Sequence, residues 1–222
     1  MRAMILAAGR GERLRPLTDH TPKPLLPIAG VPLIVHQVQW LRRAGIRDIV
    51  INLHHLGELI EATLGAGHEL GVNITYSREK TLLETGGGIV QALPLLGAAP
   101  FLILNGDIWT DYPFERLTGS THSLGSDLAR LVLTQTPANR SEGDFGLDGE
   151  RVTRDTERPY TYCGVSVLAP ELFGHAPRGR FSLRDLLFDS IARDRVRGEL
   201  FQGRWTDIGT PDQLEFVRRL AG

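Results

Sequence analysis

An apolar run that breaks into a Gly-x-Gly turn and then a string of cations constrains this chain most. Met4-Ile5-Leu6-Ala7-Ala8 leads into Gly9-Arg10-Gly11-Glu12-Arg13-Leu14-Arg15-Pro16-Leu17-Thr18, and Pro22-Lys23-Pro24-Leu25-Leu26-Pro27 follows. The run reads as a buried strand over residues 3–7, and the turn after it as a loop that meets a ligand. Gly9 and Gly11 let the backbone come close and adopt positive φ, so that N–H groups can face phosphate oxygens. Arg10, Arg13 and Arg15 add guanidinium forks and Lys23 a point charge. Prolines on both sides of Lys23 stiffen its loop. These are the parts of a polyphosphate cradle. A dinucleotide fingerprint would need a third glycine where Leu14 stands, and a P-loop would need a closing Gly-Lys-Ser/Thr, which is absent.

Apolar strand-like runs then alternate with helical patterns. Residues 48–53, 72–76 and 101–104 read as strands, and 33–44, 57–64 and 89–96 as helices, the last entered through Gly86-Gly87-Gly88. Gly45 and Gly65 stand where C-cap glycines belong. This alternation predicts right-handed crossovers and an α/β fold with a Rossmann-like, mainly parallel sheet flanked by helices. The second half is less regular. Strands are expected over 127–134, 160–168, 196–201 and 204–208. A hairpin is expected around Asp148-Gly149, and helices over 182–193, capped by Ser182, and 211–220. A smaller, partly antiparallel portion is therefore expected within one domain of 222 residues.

A net charge of −1 gives no global field for nucleic acid or an anionic membrane. The lone cysteine, Cys163, excludes an internal disulfide. No apolar run approaches membrane-spanning length and no secretory signal is visible. A cytoplasmic protein with no nucleic-acid or membrane partner is expected, as a monomer or small homo-oligomer. Seven histidines show no metal-binding spacing, and Cys163 has no paired base.

Asn105-Gly106-Asp107 ends a buried strand, at the edge where open α/β sheets bind ligands. Asp107 there suits Mg²⁺, a hard ion that carries phosphates; a turn aspartate bonded to local N–H groups is the plainer alternative. Trp205-Thr206-Asp207-Ile208-Gly209-Thr210 offers a second strand-end carboxylate, with core packing the simpler role for Trp205. Leu83-Glu84-Thr85-Gly86-Gly87-Gly88 presents a glycine-rich backbone flat enough to lie against a base or ribose.

The segment from Gly9 to Thr18, followed by Pro22-Lys23-Pro24, resembles the signature of the sugar-1-phosphate nucleotidylyltransferases, G-x-G-x-R-x-x-P-L-T and then P-K-P, with every position filled. The resemblance covers nearly the whole chain and implies a GT-A-like nucleotidyltransferase fold, with 1–111 mainly nucleotide-binding and the smaller portion in 112–222 mainly sugar-phosphate-binding. It also implies an Mg²⁺-dependent reaction of an NTP with a sugar 1-phosphate. It implies Arg13 and Lys23 as catalytic cations, and Ala8, Gly9, Gly11, Glu12, Leu83, Thr85 and Gly86 as further nucleotide contacts. Asp107 and Asp207, in N-G-D and W-x-D-[IV]-G-T, are implied as metal ligands near the sugar. Asn105, Gly143, Glu157 and Gly164 are implied on the sugar side. Glu84 stands where the family usually has glycine, in L-G-T-A-G, and Arg158 where many members have the lysine of E-K-P.

Within the family, L-E-T-G-G-G-I, N-G-D-x-W-T-D-Y-x-F and G-D-F most resemble the branch that joins UTP to N-acetylmuramic acid 1-phosphate in peptidoglycan recycling. Arg140, Arg154 and Arg158 are the candidate partners for its lactyl carboxylate. Hexose-1-phosphate uridylyl-, thymidylyl-, guanylyl- or cytidylyltransferases, and a silent nucleotide-sugar sensor, remain the alternatives.

Overall fold

The computed structural model of the chain describes residues 1–119, 124–138, 140–154 and 159–222. β1 (Ala3–Leu6) is followed by three short 3-10 turns and a small hairpin of β2 (Pro27–Ile28) and β3 (Val31–Pro32). Then come α1 (Leu33–Arg43), β4 (Asp48–Leu53), α2 (Gly57–Leu64), β5 (Asn73–Arg78), α3 (Glu84–Leu96), β6 (Phe101–Asn105) and β7 (Ile108–Thr110). The second half carries β8 (Ala129–Gln135), β9 (Gly146–Asp148), β10 (Arg151–Thr153), β11 (Tyr160–Leu168), α4 (Leu183–Ile191), β12 (Val196–Leu200), β13 (Trp205–Asp207) and α5 (Pro211–Ala221).

The main sheet has nine strands in the order β5-β4-β1-β6-β11-β8-β12-β10-β9. β5, β4, β1 and β6 pair in parallel, as does β8 with β12; β11 and β10 run against their neighbours. The sheet is thus mainly parallel, with its antiparallel pairings in the second half as expected. Side chains alternate between two cores. Ala3 and Ile5 of β1 face Ile34, Val38 and Leu41 of α1, whereas Met4 joins Ile89 and Ala92 of α3 and Leu187 of α4 on the other face. A third cluster packs Leu14, Leu26 and Ile28 of the first loop on Leu214 and Val217 of α5, so the chain's last helix props its cationic loop. Among the described residues no helix is long and apolar enough to cross a membrane.

The helix ends follow their signals. Gly45 closes α1 at φ +82°, the Ser182 side chain accepts from Arg184 N–H at the start of α4, and Thr210 with Pro211 opens α5. Two expectations shift. Asp148 pairs with Arg151, so the hairpin turn is Gly149-Glu150, with Gly149 at φ +55° in the position where a type II′ turn takes glycine. The glycine triplet lies inside α3 instead of before it.

Each of those glycines makes room for a neighbour. A Cβ on Gly86 would stand 2.3 Å from the Phe181 ring, one on Gly87 2.2 Å from the Gly179 carbonyl, and one on Gly88 2.6 Å from the Glu79 carboxylate. Alanine at position 88 gains about 1 kcal/mol of helix propensity. It also intrudes on the buried, hydrogen-bonded ends of Glu79 and Asn52, and such overpacking costs about 1–3 kcal/mol. Gly88→Ala is therefore expected to lower the midpoint of urea unfolding; a midpoint at or above that of the parent protein would contradict this packing.

Candidate active site

The ends of three strands set the floor of the cleft. Register aligns Leu6 of β1 with Asn52 of β4 and with Asn105 of β6, at the carboxyl edge of the sheet. The Asn52 side chain accepts from Ala7 N–H at 2.7 Å and donates to Glu79 at 2.7 Å; the other Glu79 oxygen accepts from Leu83 N–H at 2.9 Å. This buried relay ties the first loop to the start of α3. Asn52 and Glu79 are the residues that sequence reading passed over. The available signal was a polar side chain interrupting the apolar strand Asp48-Ile49-Val50-Ile51-Asn52-Leu53 at its ligand end.

Three cavities meet above this floor. A central one of about 370 Å³ is lined by Ala8, Gly9, Asn52, Glu84, Thr85 and Asn105, among others. A cationic one of about 400 Å³ is lined by Arg10, Gly11, Glu12, Arg13 and Arg180. A third of about 230 Å³ lies under the second half, lined by Arg140, Asp144, Tyr162, Arg184, Trp205 and Asp207. Lys23 belongs to the first two and Asp107 to the first and third; Lys23 Nζ donates to Asp107 Oδ2 at 2.8 Å. This ion pair is the junction of the site.

Of the two glycines in the first turn, only Gly11 takes positive φ, at +63°. Its carbonyl accepts from Leu14 N–H and from the Thr18 hydroxyl, both at 2.9 Å, which folds the cationic loop back on itself. A Cβ on Gly9 would meet nothing, so that backbone stays open to the cleft. Arg13 reaches across to the closing motif: a Cβ on Gly209 would stand 2.6 Å from its guanidinium. Gly209 is thus the gap through which Arg13 enters the cationic cavity. Among the described residues neither Arg10 nor Arg13 makes an ion pair. His54 and His55 bond the carbonyls of Glu79 and Thr18, a supporting role.

Asp107 and Asp207 come from distant parts of the chain and meet through the β7–β13 ladder. Asp207 pairs with Ile108, and Ile208 N–H donates to the Asp107 carbonyl at 2.8 Å. Both side chains line the third cavity. Asp207 holds Arg140 at 2.7 Å through Oδ2 and Gln213 at 2.9 Å through Oδ1. Arg140 also lies 5.9 Å over the Trp205 ring, whose N–H donates to the Cys163 carbonyl at 2.8 Å. Trp205 thus packs on the core and walls the cavity at once. The cap before α5 is Thr210, which leaves Asp207 free of that duty.

Other expected contacts sort differently. Thr85 lines both the central and third cavities, and its hydroxyl accepts from Leu183 N–H at 2.9 Å. Leu83 and Gly86 are spent on packing: Gly86 and Gly87 N–H both donate to the Phe181 carbonyl, and Leu83 accepts from Phe181 N–H. These bonds seat the loop before α4 on the helix. Gly164, at φ +71°, sits in a β11 bulge where a Cβ would stand 2.8 Å from Asn105, so it makes space for that side chain. Gly143 adjoins Asp144, whose carboxylate accepts from Tyr162 N–H at 2.9 Å and from Arg184 at 2.6 Å. Glu157 and Arg158 lie outside the described residues. Arg154 lies 3.6 Å over the Phe188 ring and does not line the cleft. Burial pushes the Cys163 thiol well above its ordinary pKa, which fits a core residue and not a nucleophile.

Known proteins resemble the chain over its full length. N-acetylmuramate alpha-1-phosphate uridylyltransferase of Neisseria meningitidis serogroup B is 45% identical, across 100% of this chain and 99% of that protein. The protein of that name in Caulobacter vibrioides is 35% identical, across 99% and 96%. The solved structure of a putative glucose-1-phosphate thymidylyltransferase from Bacillus anthracis superposes with a TM-score of 0.88 at 24% identity, covering 100% of this chain and 95% of that one, and so shares the fold. The family model described as nucleotidyl transferase matches residues 2–219, and the chain belongs to that family of enzymes.

Proposed function

We propose that the chain joins UTP to N-acetylmuramic acid 1-phosphate, giving the UDP-sugar and pyrophosphate, as a step in reuse of cell-wall sugars in the cytoplasm. The observation that carries the reading is the Lys23–Asp107 pair at the junction of the cationic, central and third cavities. A triphosphate fits the cationic end, a nucleoside the centre and a sugar phosphate the third cavity. Residues 1–111 then hold mainly the nucleotide and 112–222 mainly the acceptor, with Arg13 reaching Gly209 between them. In the reaction an acceptor phosphate oxygen attacks the α-phosphorus, a new P–O bond forms, and the bond to the leaving pyrophosphate breaks. The nucleophile is already an anion, so the chain needs no general base. Its tasks are alignment and charge cancellation, which fall to Arg13, Arg10 and Lys23 at the pyrophosphate and to Asn105, Thr85 and Arg140 nearer the acceptor.

Asp107 and Asp207 suit Mg²⁺. They are hard oxygen donors lining one cavity, Asp207 opposite Ile108 and Asp107 just before it, and each now holds a side-chain cation, which marks the spot as favourable for positive charge. The described residues hold no group of three or more metal-ligating side chains, which agrees with an ion that keeps waters and phosphate oxygens for its other positions. When bound, Mg²⁺ would neutralise charge on the phosphates.

The choice of sugar and base leans on the two relatives' names and on the arginines of the third cavity. Arg140 and Arg184 line it and suit the lactyl carboxylate better than Arg154 does. A matrix of four NTPs and several sugar 1-phosphates, read by pyrophosphate release with Mg²⁺, tests the reading. UTP with N-acetylmuramic acid 1-phosphate is expected to exceed N-acetylglucosamine 1-phosphate in kcat/KM by about tenfold or more, the scale of one well-placed charge pair. Equal or reversed values would remove the sugar assignment, and equal use of ATP or GTP would remove the base assignment.

A further inference from the structure

Glu84 opens α3 at φ +60°, in the left-handed region where glycine is at ease and a residue with a side chain costs about 1 kcal/mol. Its Oε1 is gripped by one guanidinium, from Arg180 Nε at 2.8 Å and Nη2 at 2.7 Å. The Arg180 and Glu84 side chains are 68% and 38% exposed, so their pairing adds little stability. Stability therefore does not explain why a carboxylate occupies this backbone position.

Location does. Glu84 lines the central cavity and Arg180 the cationic one. Arg180 rides on the loop before α4, in the second half of the chain. That loop is fixed on α3: the Phe181 carbonyl takes both glycine N–H groups, and the Phe181 ring and Gly179 carbonyl fill the space that missing Cβ atoms leave. With its base anchored, the Arg180 side chain can swing between Glu84 and the cavity it lines. A phosphate chain is the better partner, since it offers several anionic oxygens to a planar fork.

Given the triphosphate reading of the cationic cavity, we propose that Arg180 is a further triphosphate-binding residue. Glu84 holds it in the free protein and surrenders it to the phosphates when nucleotide enters. Glu84 is then a positioning residue that competes with the ligand for Arg180.

Calorimetric titration of the free protein with inorganic pyrophosphate tests this. Arg180→Met is expected to weaken binding about tenfold, the scale of a charge-assisted hydrogen bond. Glu84→Gln is expected to tighten it about threefold, because the competitor for the guanidinium is gone. In the Arg180→Met background, Glu84→Gln should have no effect. An equal gain in both backgrounds would mean that Glu84 acts only by repelling phosphate, and would overturn the proposal. Unchanged affinity in Arg180→Met, with Arg13→Ala weakened, would overturn it too. If neither arginine variant changed affinity, the triphosphate reading itself would fall.

Discussion

Asp107→Asn is expected to lower turnover about a thousandfold at saturating Mg²⁺ while leaving the circular dichroism spectrum unchanged. The magnitude follows from a metal's share of transition-state charge, several kcal/mol, at about 1.4 kcal/mol per factor of ten. Asparagine keeps the shape and can still accept from Lys23, now 2.8 Å away, so the local geometry survives. What it loses is the negative charge that favours a cation there. Asp207→Asn should behave alike, since among the described residues its carboxylate is likewise held by side chains, Arg140 and Gln213. Either change should also weaken Mn²⁺ binding to the free protein, measured by electron paramagnetic resonance. Near-normal turnover with unaltered Mn²⁺ affinity in both variants would dissolve the two-carboxylate site.

Much of this arrangement was legible in the sequence, for reasons that differ by element. β4, α2 and β11 fall on the residues expected of them, because each is an apolar run bounded by turn formers. The cationic loop and the two strand-end aspartates stood out in the sequence because they lie at punctuation points, where a strand stops and the backbone turns, and the fold brings them to the cavities at the sheet's carboxyl edge. The packing role of the glycine triplet, inside α3, was not legible for a physical reason. Glycine serves equally where a ligand approaches and where another backbone does, and only the position of Phe181 and Gly179, far along the chain, decides between them. The same holds for Gly164, whose bulge is defined by Asn105 on a neighbouring strand. Pairings such as Arg140 with Asp207 or Arg180 with Glu84 join residues 67 and 96 positions apart and leave no local signature. β7 escaped notice because it is three residues long and finds its partner only in β13.

Arg13→Ala is expected to cut kcat about a hundredfold while raising the KM for nucleotide much less. Arg13 stands in the cationic cavity, over Gly209, and no acidic residue among those described pairs with it. Its charge is therefore ready for a ligand without an exchange of partners, unlike Lys23, which is held by Asp107. In the proposed reaction, negative charge grows on the leaving pyrophosphate as the P–O bond breaks. A guanidinium fixed at that end interacts more strongly with the transition state than with the intact nucleotide, and such a contact contributes about 3 kcal/mol. Lysine at position 13 should restore only part of the rate, because an ammonium supplies the charge but not the fork. The kinetic signature separates two roles for the same residue. A loss confined to kcat places Arg13 on the departing pyrophosphate. A normal kcat with a raised KM would make it an anchor for the bound nucleotide, and charge cancellation at the pyrophosphate would then fall to Arg10 and Lys23 with the metal on the two aspartates.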